Sequence, residues 1–185
     1  MLKPNLSLLV IVSVGYIAAY TVSNGFILPL QKMLLPDPVL FSVLFLPHGI
    51  RVLAIWLLGW RGALYLLPSS YLMWVIAVWG TEVELAAAQP LVSIACIYAA
   101  VVLVGLCISS TKRELRDIMT WKQCLIAGFV GSVFNGFGLA MLAKGDFSFY
   151  LMAGYAFGDI AGQIVLMLIL ILIMRLSRIA NSLSQ

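Results

Sequence analysis

The chain has 185 residues, 63% of them hydrophobic and 10% charged, with a formal net charge of +4. Soluble domains carry roughly 25% charged residues, so an ordinary globular domain is excluded. The surplus of Lys and Arg lies between apolar runs near the roughly 20 residues that cross a bilayer, so it reports membrane topology and not nucleic-acid binding.

Inside hydrocarbon the backbone has to satisfy its own hydrogen bonds, so such runs are read as helices. A barrel needs alternating polarity, and Ile164 to Met174 does not alternate. The sequence therefore predicts an all-α integral membrane protein, one domain over residues 1–185, built as a bundle of six transmembrane helices. The first span runs from Ser7 to Leu30. It follows a single Lys3 and has no small-residue cleavage site, so it reads as a retained span. It ends before Lys32 and a Pro36-Asp37-Pro38 turn. The second runs from Val39 to Gly59 and meets a tight Trp60-Arg61-Gly62 turn. The third runs from Ala63 to Trp79. The acidic loop Thr81 to Glu84 leads to the fourth, Ala86 to Ile108. Ser109 to Gln123 reads as a short cytoplasmic helix of mixed charge. The fifth span runs from Cys124 to Ala143. Lys144-Gly145-Asp146 turns into the sixth, Ser148 to Met174, and a polar, frayed tail runs from Arg175 to Gln185.

Orientation follows from the basic residues. One side collects Lys3, Arg61, Lys112, Arg113, Arg116, Lys122, Arg175 and Arg178, whereas the other has Lys32 and Lys144. Both termini are thus expected on the cytoplasmic side of the cytoplasmic membrane. Trp60 and Trp121 on the inner side and Trp79 on the outer side suit interfacial anchors.

Four polar residues fall where lipid is expected. Arg51 and Asp159 are ionisable, and such residues in a span usually face a partner or a water-filled cavity. Counted at 1.5 Å per residue, both lie roughly 17 Å from the outer end of their spans, near the midplane. Asn135 reaches the same depth from the inner side. His48 shares a helix face with Arg51, three residues on. Pro47 is expected to kink the second span there. The simplest arrangement pairs Arg51 with Asp159, with His48 and Asn135 satisfying what remains. The alternative is that the four line a binding pocket, as broken helices do in transporters. An axial haem role for His48 lacks a second His and any attachment motif.

Small residues form two stripes. Gly128, Ser132, Gly136 and Ala140 recur every four residues in the fifth span, and Gly154, Gly158 and Gly162 in the sixth. Such faces let backbones approach closely. The preferred expectation is a tight hairpin of spans five and six, stripe against stripe; the other is that one stripe serves an intermolecular contact.

Catalytic motifs are absent from the sequence. Cys96, Cys107 and Cys124 form no CxxC pair and read as small buried residues. There is no nucleotide-binding Gly-rich loop, no HExxH and no assembled Ser-His-Asp set. A non-enzyme without cofactor or metal is expected.

Phe45-Leu46-Pro47-His48-Gly49-Ile50, followed by Gly59-Trp60-Arg61, resembles the Pro-Ser-Gly-Ile segment and Gly-Arg turn of the first family of bacterial membrane-associated sensor domains. Tyr155-Ala156-Phe157-Gly158-Asp159 resembles that family's closing Gly-Asp span, and Leu115-Arg116-Asp117-Ile118 also fits. The resemblance covers roughly residues 39–175. It implies a sensor domain, which family members attach to kinase, cyclase or phosphodiesterase modules. None is expected here after residue 185, so the resemblance implies a stand-alone, sensor-like module. His48 and Arg51 replace the small residues expected beside that Pro and Gly, marking a changed ligand or an internal pair with Asp159.

Three functions follow as expectations. The first is a sensor-like module that binds a small molecule or partner within the membrane. The second is a structural accessory subunit of a larger membrane complex, or a homo-oligomer, held through lipid-facing helices. The third is a small transporter or channel. Membrane lipid is the expected surrounding in all three, with no nucleic-acid partner.

Overall fold

A computed structural model describes residues 6–34, 41–80, 85–109, 121–143 and 147–183. The expected Pro36 to Pro38 turn, the Thr81 to Glu84 loop, the charged stretch from Ser110 to Thr120 and the Lys144 to Asp146 turn lie outside them. The described residues are almost wholly helical. Helix α1 (Leu6–Val22) passes through a π-helical turn (Ser23–Ile27) into α2 (Leu28–Leu34). Then come α3 (Leu46–Leu58), α4 (Trp60–Gly80), α5 (Gln89–Ser109), α6 (Trp121–Leu142) and α7 (Phe149–Leu183). Counting α1 to α2 as one helix, five helices are long and apolar enough to cross a membrane. Their outward faces are rich in exposed Leu, Ile, Val, Phe and Met, an extent of apolar surface suited to lipid. The chain reads as a multi-pass membrane protein.

The second expected span is different. Helix α3 has only 13 residues. It follows a non-helical stretch, 41–45, that runs across α7. Pro47 lies in the first turn of α3, so it starts a helix where the sequence suggested a kink. Its missing N–H costs nothing at that position. Five non-helical residues reach up to about 17 Å, and 13 helical residues add about 20 Å. Together they exceed the roughly 30 Å of hydrocarbon, so a broken helix can still cross.

Non-helical backbone at membrane depth is tolerated only where protein satisfies it. Here side chains do so. Gln31 donates from Nε2 to the Phe41 carbonyl at 2.9 Å and accepts from the Val43 N–H through Oε1 at 2.8 Å. Ser42 Oγ donates to the Leu44 carbonyl. The Phe45 N–H donates to the Gly158 carbonyl at 2.9 Å, and the Leu46 N–H to Ser23 Oγ at 2.9 Å. The π-helical turn thus presents Ser23 as a partner for the start of α3. Gln31→Leu should leave one backbone donor and one acceptor unpaired. Each costs about 1–3 kcal/mol when buried. A drop of several degrees in the detergent melting temperature is expected, and an unchanged midpoint would show that the stretch is held without Gln31.

Other boundaries shift. The turn after α3 is Gly59 alone, at φ 60°, where a side chain would be strained. Trp60, Arg61 and Gly62 already belong to α4. Gly62 brings α4 against the Ala54 carbonyl, where a Cβ would overlap it. The expected frayed tail is helix, since α7 continues to Leu183, and residues 171–180 are exposed throughout. Cys124 is buried, but Cys107 is exposed, contrary to a buried packing role.

The two stripes pack, but not against each other. On α6, Gly128 lies against Gln163, Gly136 against the Met152 carbonyl and Ala156, and Ser132 against His48. A second small face of the same helix, Gly131 and Gly138, meets Ile97 and Val92 on α5. On α7, Gly154, Gly158 and Gly162 face Phe41, Ser42 and Phe45 of the non-helical stretch. The stripe of α7 is a bed for irregular backbone, not for α6.

Candidate functional site

The polar residues singled out in the sequence meet where α3, α6 and α7 converge. Asp159 is 3% exposed, Asn135 1% and His48 fully buried. Asn135 Nδ2 donates to Asp159 Oδ2 at 2.6 Å. His48 Nδ1 lies 3.2 Å from the same oxygen, within ion-pair distance but off the line of a hydrogen bond. On its other side His48 Nε2 lies 3.0 Å from Ser132 Oγ and 3.2 Å from the Gly128 carbonyl. Ser132 Oγ donates to that carbonyl at 2.8 Å. Two of the stripe positions, Gly128 and Ser132, are therefore part of the polar cluster.

Arg51 is not. Among the described residues the ion pair of Asp159 is with His48, and Arg51 instead donates from Nη2 to Tyr16 Oη on α1 at 2.6 Å. Its guanidinium carbon lies 5.2 Å from the Tyr16 ring centre and 5.6 Å from that of Phe45. The depth count that paired Arg51 with Asp159 assumed regular helix from Val39. Each non-helical residue rises up to about 3.3 Å instead of 1.5 Å, so Arg51 sits up to about 9 Å deeper than counted. His48, one turn earlier, takes the place beside Asp159.

A cavity of about 200 Å³ joins these groups. Arg51, Asn135 and Asp159 line it within the bundle, and Leu28, Leu85 and Gln89 line it near the helix ends. Tyr16, Tyr20, Phe41, Phe45, Trp74 and Tyr155 supply aromatic walls. Several rings pack on one another: Tyr20 meets Phe45 edge-on at 6.2 Å between centres, and Phe41 meets Tyr155 at 6.3 Å. Such a wall is rigid, and aromatic faces suit apolar ligand bodies.

Five lining side chains carry a buried polar atom with no hydrogen-bond partner: Asn24 Nδ2, Arg51 Nε, Ser70 Oγ, Trp74 Nε1 and Asn135 Oδ1. Buried polar atoms are nearly always paired, so their clustering around one cavity points to an occupant. Asn24 sits on the π-helical turn, a feature common at functional sites.

The aromatic wall and the donors from the π-helical turn and α4 escaped the sequence reading. Tyr16 and Tyr20 are four apart on one face of α1, and Pro68-Ser69-Ser70 interrupts an apolar helix. Both are weak signals, since aromatic and Ser residues are common in membrane helices. Comparison with protein-family models, curated proteins and solved structures finds no match to this chain.

Proposed function

We propose that this protein is a non-catalytic, sensor-like binding module of the bacterial cytoplasmic membrane, and that the central cavity is its binding site. The observation that carries the reading is the set of five unpartnered polar atoms on the walls of one cavity. A polar cluster that served only to brace helices would satisfy itself, as Asn135 Nδ2, Ser132 and Gln163 Nε2 do. The resemblance of residues 39–175 to the first family of membrane-associated sensor domains agrees with such a role. The broken span supports it too, because interrupted helices favour binding sites at membrane depth.

The reading takes six crossings, with both termini in the cytoplasm because Lys and Arg are in excess on that side. The ends of α2 and α4 and the start of α5 then lie outside, and the cavity opens away from the cytoplasm. A second reading, an accessory subunit of a membrane complex, draws on α7, whose residues 171–180 stand exposed beyond the bundle and include Ile171, Leu172, Ile173, Met174, Leu176 and Ile179.

Native mass spectrometry of the full chain in a mild neutral detergent tests both. The expected result is a small molecule retained at one per chain and lost in Ser93→Trp, which fills the cavity from α5. A stoichiometric membrane protein in its place would establish the subunit reading. Reporters fused after Gln185 and within residues 81–84 should give opposite signals, and equal signals would overturn the orientation.

A further inference from the structure

The polar partners of His48 and Asp159 are each other and groups on α6. Ser132 spends its one hydroxyl proton on the Gly128 carbonyl, which can only accept. His48 Nε2 contacts both oxygens. Nδ1 lies 3.2 Å from Asp159 Oδ2, the oxygen that also accepts from Asn135 Nδ2. Arg51 therefore has no carboxylate partner among the described residues that line the cavity.

The unpartnered atoms have the same bias. Asn24 Nδ2, Arg51 Nε and Trp74 Nε1 can only donate, Ser70 Oγ can donate or accept, and Asn135 Oδ1 can only accept. A guanidinium has five N–H donors, and among the described residues one meets a hydrogen-bond acceptor, Tyr16 Oη. Arg51 is 6% exposed, so its surplus is buried against the cavity and not turned to bulk solvent. A buried cation without a carboxylate partner, amid surplus donors, calls for an anion.

We propose that the cavity takes an organic monoanion, a carboxylate on a small apolar or aromatic body, with Arg51 receiving the carboxylate. The proposal rests on the binding-module reading and names the chemistry of what is bound. Arginine suits the task because its planar fork matches a carboxylate through paired, charge-assisted hydrogen bonds. The rings of Tyr16 and Phe45 lie within cation–π distance of the guanidinium, and Tyr16 Oη takes one of its five N–H donors. Tyr20, Phe41 and Tyr155 enclose the apolar body. A water needs about 10–15 Å³ of such space, so the cavity admits on the order of ten non-hydrogen atoms. That is the size of phenylacetate or hexanoate.

The test uses the full chain in a neutral sugar detergent, with binding read by titration calorimetry and by melting temperature. Phenylacetate and hexanoate are compared with phenylacetamide, hexanamide and hexylamine, which keep the body and change the head group. Palmitate in lipid nanodiscs distinguishes a membrane-borne carboxylate from a dissolved one. The expected result is saturable binding of carboxylates at least about tenfold tighter than of the amides or amine, with Arg51→Gln losing about tenfold to a hundredfold. Since Arg51→Gln could perturb folding, Ser70→Ala with Trp74→Phe provides a second variant. It removes two donors that have no partner within the protein, and should weaken carboxylate binding several-fold while leaving the ligand-free melting temperature unchanged. Amide or amine binding as tight as carboxylate would overturn the anion while keeping the cavity as a binding site. No binding by any head group would overturn both, and would assign the unpartnered atoms to water.

Discussion

A Gly158→Leu protein is expected not to reach the native fold. A Cβ at this position would overlap the carbonyl oxygen of Ser42, and at Gly162 the carbonyl group of Phe45. Both obstacles are backbone, so neither can turn aside as a side chain would. The approach that forbids a side chain also lets the Phe45 N–H reach the Gly158 carbonyl. Forcing the segments apart would strip 41–45 of partners at a depth where water cannot replace them. Overpacking typically costs about 1–3 kcal/mol where side chains can shift, and more than about 4 kcal/mol is expected here. The neighbours grade the effect. Gly154 faces the ring of Phe41, which can rotate, so Gly154→Ala should cost less than Gly158→Ala. Gly105 has nothing within 4 Å of a Cβ, and Gly105→Ala should be silent. Yield and retention on size-exclusion chromatography, with melting temperature where protein survives, give the order. A monodisperse, normally stable Gly158→Leu protein would show that the stretch does not lie on α7.

The same residues mark how far the sequence could be read. Long apolar runs made the helices legible, because length and hydropathy alone specify a membrane helix. The glycine period on α7 was legible as a face for close approach, yet its partner was not. Period four is the same whether a helix or an irregular strand lies on it. The break before α3 left little trace, since Phe41 to Phe45 is as apolar as a helix would be. Its support comes from Gln31 and Ser23, residues that look like ordinary polar interruptions until the backbone atoms they serve are known. Among the candidate site residues, His48, Asn135 and Asp159 were legible because polar groups in lipid demand explanation. The partner of Arg51 was not, because residue counting converts to depth only along unbroken helix.

That difference bears on stability through Asp159. Its carboxylate takes the Asn135 amide at 2.6 Å and faces His48 at 3.2 Å, with all three side chains buried. Asp159→Leu removes the acceptor of the Asn135 amide and the ion-pair partner of His48. Breaking a buried pair by one partner commonly costs about 3–5 kcal/mol, and a loss of that size is expected in detergent melting. His48→Leu should be comparably damaging, since it also frees Ser132 and Gly128 from their contact with the ring. The double change to His48→Leu and Asp159→Leu should cost less than the sum of the two by about 1–3 kcal/mol, because the second removes a group the first has already orphaned. Arg51→Met combined with Asp159→Leu provides the contrast. Arg51 is held by Tyr16 and by two ring faces, and none of these contacts passes through Asp159. Its loss should therefore add to that of Asp159 within about 0.5 kcal/mol. Strong coupling between Arg51 and Asp159, with none between His48 and Asp159, would restore the simple pairing and close the cavity with an internal salt bridge. Arg51 would then have its carboxylate within the protein, and the reason for an anionic ligand would be gone.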